Sequence, residues 1–220
     1  MSTLLDRYKR AILIIGPPHS GKSVFAYLLF KYLREIGNDA ALFDCDIFGP
    51  TFRSYKLLSE DEERHLYPVP NYGKLEEDVP LEIFKGYIDY PFFAVREKGI
   101  IVMDGLGKHS EKTKALLGRA ECLVIVCKSE LSNEEIEMCG YKTNDSLKHP
   151  FEFYSKEKPH TMKITTHRSE GSPYADLQNL QAELCGLSRN AIQDGKVVSI
   201  PRGTCEVILS IAKYIRENWF

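Results

Sequence analysis

Between Ala11 and Tyr27 the chain reads AILIIGPPHSGKSVFAY, and no other stretch restricts its folding as strongly. A five-residue apolar run, Ala11 to Ile15, leads into Gly16-Pro17-Pro18-His19-Ser20-Gly21-Lys22-Ser23. That octet matches G-x-x-x-x-G-K-[ST] at every fixed position. An apolar segment with helical spacing follows at once, so the order is strand, glycine loop, helix. Gly16 and Gly21 permit torsions and close approaches that a Cβ would obstruct. Loop amides in this arrangement converge on phosphate oxygens at a helix N-terminus, where the dipole favours negative charge. Gly16, Pro17, Pro18, His19, Ser20, Gly21, Lys22, Ser23 and Val24 are therefore the candidate phosphate contacts. Lys22 is expected to reach the β- and γ-phosphates, and the Ser23 hydroxyl to ligate Mg²⁺. His19 lies where loop side chains point outward, so it reads as positional and not catalytic.

The rest of the chain supplies strands and helices in alternation. The spacing predicts a helix ending at Gly37, a strand over Ala40–Phe43, and a strand over Ile100–Met103. A helix over Ser110–Arg119, capped by Ser110, precedes a buried strand over Cys122–Cys127. Asn133 is expected to cap a short helix through Met138. Phe151–Tyr154, Lys163–Thr166 and Val197–Ile200 read as further strands. Leu177, Leu180, Leu184 and Leu187 recur at helical steps, which predicts an amphipathic helix over Pro173–Leu187. Val207, Ile208, Ile211, Ile215 and Trp219 predict a C-terminal helix. Alternation of this kind implies an α/β fold: a mostly parallel central sheet flanked by helices in three layers. All 220 residues are expected to form one domain. Residues 51–98 differ in character, being charged, aromatic and interrupted by Pro68, Pro70, Pro80 and Pro91. They read as an insertion forming a lid or substrate surface, with a helix over Leu81–Ile88 broken near Pro91.

In parallel α/β sheets ligands collect at the carboxyl ends of strands, which is where three carboxylates fall. Asp104 follows Ile-Ile-Val-Met and fits an acid that holds Mg²⁺ or its coordinated water. Asp44 and Asp46 close the preceding strand two residues apart, on one side of an extended chain. One of them is expected to orient an attacking water or accept a proton, the other to assist Mg²⁺. Gly107, three residues after Asp104, has the spacing of an amide that senses a γ-phosphate. Arg168 and Arg189 lie beside loops, and nothing in the sequence selects either as a cation for the phosphates. Cys127-Lys128-Ser129-Glu130 departs from the guanine-reading N-K-x-D pattern at two fixed positions, which leaves ATP as the expected nucleotide.

A formal net charge of −2 offers no general basic field for nucleic acid or an anionic membrane. The six cysteines contain no C-x-x-C pair, and reduced thiols in a cytoplasmic protein are the expectation. MSTLLDRYKR carries no apolar signal region, and no apolar run approaches a membrane span.

Two resemblances add to this reading. DCDIFGPTF at 44–52 resembles the D-x-D-x-x-G-P segment of MinD- and Mrp-like ATPases, within the P-loop NTPase class that includes dethiobiotin synthetase and polynucleotide kinases. That resemblance implies Asp46 as the water-organising acid, Asp104 on the Mg²⁺ side, and a nucleotide-dependent homodimer. The second lysine of the MinD-type K-G-G-x-x-x-G-K loop has no counterpart in Gly16-Pro17-Pro18-His19. GPPHSGKSVFAYLL (16–29) and IIVMDGLGKHSEKTKALLGRAECLVIVCKSE (100–130) resemble ATPase modules of ring-nuclease-type accessory proteins in type III CRISPR systems. This second resemblance implies an ATPase that switches or drives a protein or RNA partner of such a system. The residues alone leave two other readings open: a kinase acting on a nucleotide, a nucleic-acid 5′ end or a small hydroxyl substrate, and a nucleotide-gated binding module.

Overall fold

The computed structural model describes residues 10–45, 51–69, 79–94, 99–138, 152–158, 160–168 and 171–220. In chain order these form β1 (Ala11–Ile15), α1 (Lys22–Glu35), β2 (Ala40–Asp44), α2 (Thr51–Ser54), α3 (Glu60–Glu63), β3 (Leu66–Pro68), α4 (Leu81–Ala94), β4 (Ile100–Asp104) and α5 (Glu111–Arg119). There follow β5 (Cys122–Lys128), α6 (Asn133–Met138), β6 (His160–His167), β7 (Tyr174–Asp176), β8 (Gln181–Cys185), β9 (Ile192–Gln193), β10 (Lys196–Val197) and α7 (Arg202–Asn218).

Eight strands make one sheet in the order β3-β2-β4-β1-β5-β6-β8-β7. Every pairing is parallel except the one between β7 and β8. The central strands are buried on both faces, which explains their unbroken apolar runs. Ile12 and Ile14 of β1 face one cluster together with α1 and α7, while Ala11, Leu13 and Ile15 face a second cluster with α4 and α5. That is the three-layer arrangement expected from the sequence. Helix α1 is buried on nearly every side, from Ser23 through Phe30 and again at Leu33. Each large apolar side chain so buried is worth about 1.5–3 kcal/mol. Among the described residues no helix is long and apolar enough to cross a membrane.

Cys122 and Cys127 fall in different clusters on opposite faces of the sheet, as their odd spacing predicts. Burial, with Glu121 nearby, pushes the Cys122 thiol up to about 12. No disulfide joins the described cysteines.

Several expected elements are corrected. The stretch 173–187 is a hairpin of β7 and β8, not a helix. The Asp176 carboxylate accepts from the Asn179 amide (3.1 Å) and side chain (2.7 Å), and Leu180 takes a positive φ of 52°. These turn the chain back. Leu177, Leu180, Leu184 and Leu187 all do reach one core cluster, but from a strand and two loops, which the same spacing cannot distinguish. Glu152–Glu157 is a 3-10 helix where a strand was expected, with Tyr154 buried; Phe151 lies outside the described residues. The expected strand 197–200 reduces to β10, which pairs only with β9 around the Asp194-Gly195 turn. Both turn residues have positive φ (46° and 77°), as a two-residue hairpin of this type requires. Helix α4 continues through Pro91 to Ala94, at the loss of one hydrogen bond, with Phe84, Ile88 and Phe92 buried along it. Ser132, not Asn133, caps α6: its hydroxyl accepts from the Glu135 amide, and the Glu135 carboxylate accepts from the Ser132 amide (3.0 Å). Ser110 caps α5 as expected, accepting from the Thr113 amide. The described part of 51–98 includes the edge strand β3 and helix α4, which covers one face of the sheet.

Candidate functional site

The loop between β1 and α1 is shaped by what its glycines touch. A Cβ on Gly16 would stand 1.9 Å from the Val126 carbonyl oxygen of β5, so only glycine lets the chain leave β1 there. Gly21 has a φ of 84°, and its Cα packs against Leu187, whose Cβ would be 2.9 Å from an added Cβ. Gly21 is also the N-cap of α1 and provides no side-chain cap, and no acidic residue occupies the first helical turn. The first amides of this 14-residue helix are therefore open, with no acid in the helix's own first turn to compete for them. His19 is exposed and has a φ of 59°, a left-handed conformation that histidine tolerates better than most residues. That conformation gives a backbone reason for a positional role.

Strands β2 and β4 bring two of the expected carboxylates side by side. Asp44 and Asp104 are register partners, and Ile14 of β1 also pairs with Asp104. Both acids are buried, at 0% and 3% exposure. The Asp44 carboxylate accepts a hydrogen bond from the Phe52 amide (3.3 Å), which anchors the start of α2. Asp46 lies outside the described residues. Past Asp104 the chain crosses over β1, with the Gly105 amide donating to the Ile14 carbonyl (2.8 Å). A Cβ on Gly107 would lie 3.4 Å from Pro18, so this glycine borders the loop directly. Ser23 is buried at 4% exposure, and its hydroxyl and the Asp104 carboxylate are both hard oxygen donors of the kind Mg²⁺ prefers. Among the described residues no cluster of three or more His, Cys, Asp or Glu could hold a metal alone.

The walls of the site were not legible from motifs. Thr166, at the end of β6, donates its hydroxyl to the Ser20 carbonyl at 2.8 Å and stands 3.2 Å from the Cys127 carbonyl, tying the loop to two strands. A cleft of about 810 Å³ runs from His19, Ser20 and Gly21 to Lys128–Ser132, Thr166–Arg168 and Gly186–Ser188. Its far side is held by a Lys128–Glu135 ion pair. Burial raises the Glu135 carboxyl, but hydrogen bonds from Lys128 and Ser132 outweigh it and leave the group below the usual range. A second recess of about 300 Å³ lies over Lys22, Ser23 and Val24, walled by Tyr55 and Leu187–Asn190. Arg168 borders the first space and Arg189 the second.

No family profile matches the chain. Over 110 residues, 49% of its length, it is 29% identical to the signal recognition particle 54 kDa protein of Methanococcus vannielii, and the match spans 22% of that protein. Solved structures resemble it along nearly the whole chain. The septum site-determining protein MinD of Pyrococcus horikoshii, complexed with Mg-ADP, has a TM-score of 0.60 at 14% identity, covering 94% of this chain and 95% of that one. A ParA family ATPase of Chlorobium tepidum has a TM-score of 0.54 at 13% identity, covering 94% and 98%. MinD in the Aquifex aeolicus MinC:MinD complex has a TM-score of 0.58 at 12% identity, covering 94% and 96%.

Proposed function

We propose that this chain, whose fold is the three-layer fold of P-loop NTPases, binds Mg²⁺ and a nucleoside triphosphate and hydrolyses it, ATP being the expected nucleotide. One juxtaposition carries the reading: the Gly16–Ser23 loop at the open N-terminus of α1, with Asp104 on the adjoining strand and Gly107 against Pro18. Phosphoryl transfer depends mainly on positioning and charge neutralisation. The loop amides and Lys22 would cradle the phosphates, and Ser23 and Asp104 would hold the metal. Bound Mg²⁺ would neutralise charge on the β- and γ-phosphate oxygens. Gly107 would report the γ-phosphate to the 105–110 segment, and Asp46, in the role its resemblance implies, would orient water.

The Mg-ADP carried by the Pyrococcus horikoshii neighbour supports the choice of metal and base. Release of the γ-phosphate would switch a partner, and formation of a nucleotide-dependent homodimer belongs to the same reading. A CRISPR-type protein or RNA partner rests on the resemblance of 16–29 and 100–130 alone.

The test is γ-labelled ATP and GTP turnover with Mg²⁺, with and without single-stranded RNA. The expected product is labelled inorganic phosphate, more from ATP than from GTP. Label transferred to nucleosides, nucleotides or oligonucleotides would instead identify a kinase. Tight binding with no release would identify a gated binding module.

A further inference from the structure

We infer that Arg189, whose guanidinium lies over the Tyr55 ring, is a phosphate-binding residue of the nucleotide site, and that the pair spans the recess above the first turn of α1. This rests on the nucleotide reading above and adds a residue to it. The guanidinium carbon of Arg189 lies 4.4 Å from the centroid of the Tyr55 ring. A cation held over a ring face is attracted without a hydrogen bond to the ring, so the contact does not consume the N–H donors of the guanidinium. No carboxylate pairs with Arg189 among the described residues, whereas Lys128 in the neighbouring cleft is bound to Glu135. Arg189 also borders the same recess of about 300 Å³ as Lys22, Ser23 and Val24, while Arg168 does not.

Both partners are fixed from behind. Leu187 packs on Gly21, which brings the 187–190 loop against the phosphate loop. The amides of Asp194 and Gly195 donate to the carbonyls of Lys56 (2.9 Å) and Leu57 (3.0 Å), joining the β9–β10 turn to the segment that follows Tyr55. The Tyr27 hydroxyl, inside α1, donates to the Gly195 carbonyl (3.0 Å), so α1 anchors the same turn. The pair sits on segments joined by these hydrogen bonds, and Tyr55, 50% exposed, is its positioning residue.

The experiment measures affinity for Mg-ATP and for inorganic tripolyphosphate by competition against a fluorescent nucleotide. Wild type is compared with Arg189→Ala, Arg189→Gln, Arg189→Lys, Tyr55→Ala and Tyr55→Phe, with thermal unfolding of each as the check on folding. Loss of a charge-assisted contact predicts that Arg189→Ala and Arg189→Gln weaken both ligands alike, by about ten- to a hundredfold. The deficit should shrink at high salt. Arg189→Lys should recover part of the affinity, Tyr55→Phe should match wild type, and Tyr55→Ala should lose part. Unchanged affinities would overturn the inference and leave the nucleotide reading intact. Weakened ATP with unchanged tripolyphosphate would overturn it too, since the guanidinium would then meet the nucleoside. A wild type that binds neither ligand would remove the nucleotide reading and this inference together.

Discussion

Replacing Lys22 by alanine is expected to lower phosphate release by about 10²–10³-fold while leaving the fold intact. The side chain is half-buried at the first position of α1 and has no ion pair among the described residues. Its removal leaves no orphaned carboxylate, and alanine is the best helix former. Unfolding should therefore shift by no more than about 0.5 kcal/mol, as for an ordinary surface position. On the proposed reading the rate would fall because charge accumulating on the transferred phosphoryl oxygens would lose a fixed cation that needs no reorganisation. Rate by phosphate release and stability by thermal unfolding, measured on the same protein, separate the two effects. Equal turnover by the variant would mean that the loop is not where the chemistry occurs.

Replacing Gly16 by alanine should act differently, through the backbone. The new methyl would have to stand 1.9 Å from the Val126 carbonyl oxygen and 3.0 Å from the Ser20 hydroxyl. Val126 cannot yield easily, because β5 is paired on both sides, to β1 and to β6. The chain leaving β1 must shift instead, carrying the loop amides away from their point of convergence. Overpacking of a rigid site costs about 1–3 kcal/mol, and a collision this deep belongs at the upper end or beyond. The expected result is a lower unfolding temperature together with loss of nucleotide binding, even with Lys22 and Ser23 present. Wild-type binding by this variant would contradict the close approach.

Much of this architecture is legible from residues 11–27 and the apolar runs, because buried parallel strands and the glycine loop between β1 and α1 both have strong local signatures. The loop, α1, β4, α5 and β5 follow from spacing and composition. The 173–187 stretch does not, because leucines at three- and four-residue steps suit either a helix or a strand with flanking loops. The deciding groups there are Asp176 and Asn179, whose side-chain hydrogen bonds reverse the chain. The site divides in the same way. Lys22, Ser23, Asp104 and Gly107 are marked by motif distances along the chain. Thr166, Leu187 and the Tyr55–Arg189 pair meet the loop only through folding, across separations for which no motif exists. Arg189 and Arg168 look equivalent in sequence, and their places on different walls distinguish them.

The most direct measurement is the amide NMR spectrum of the isotope-labelled chain, titrated with Mg²⁺ and a non-hydrolysable ATP analogue. Saturable shifts should be largest at Gly16 and His19–Val24, with a second set at Gly107, and Lys22→Ala should weaken them. An absence of saturable shifts, or shifts confined to residues away from the β1–α1 loop, would contradict nucleotide binding at this site.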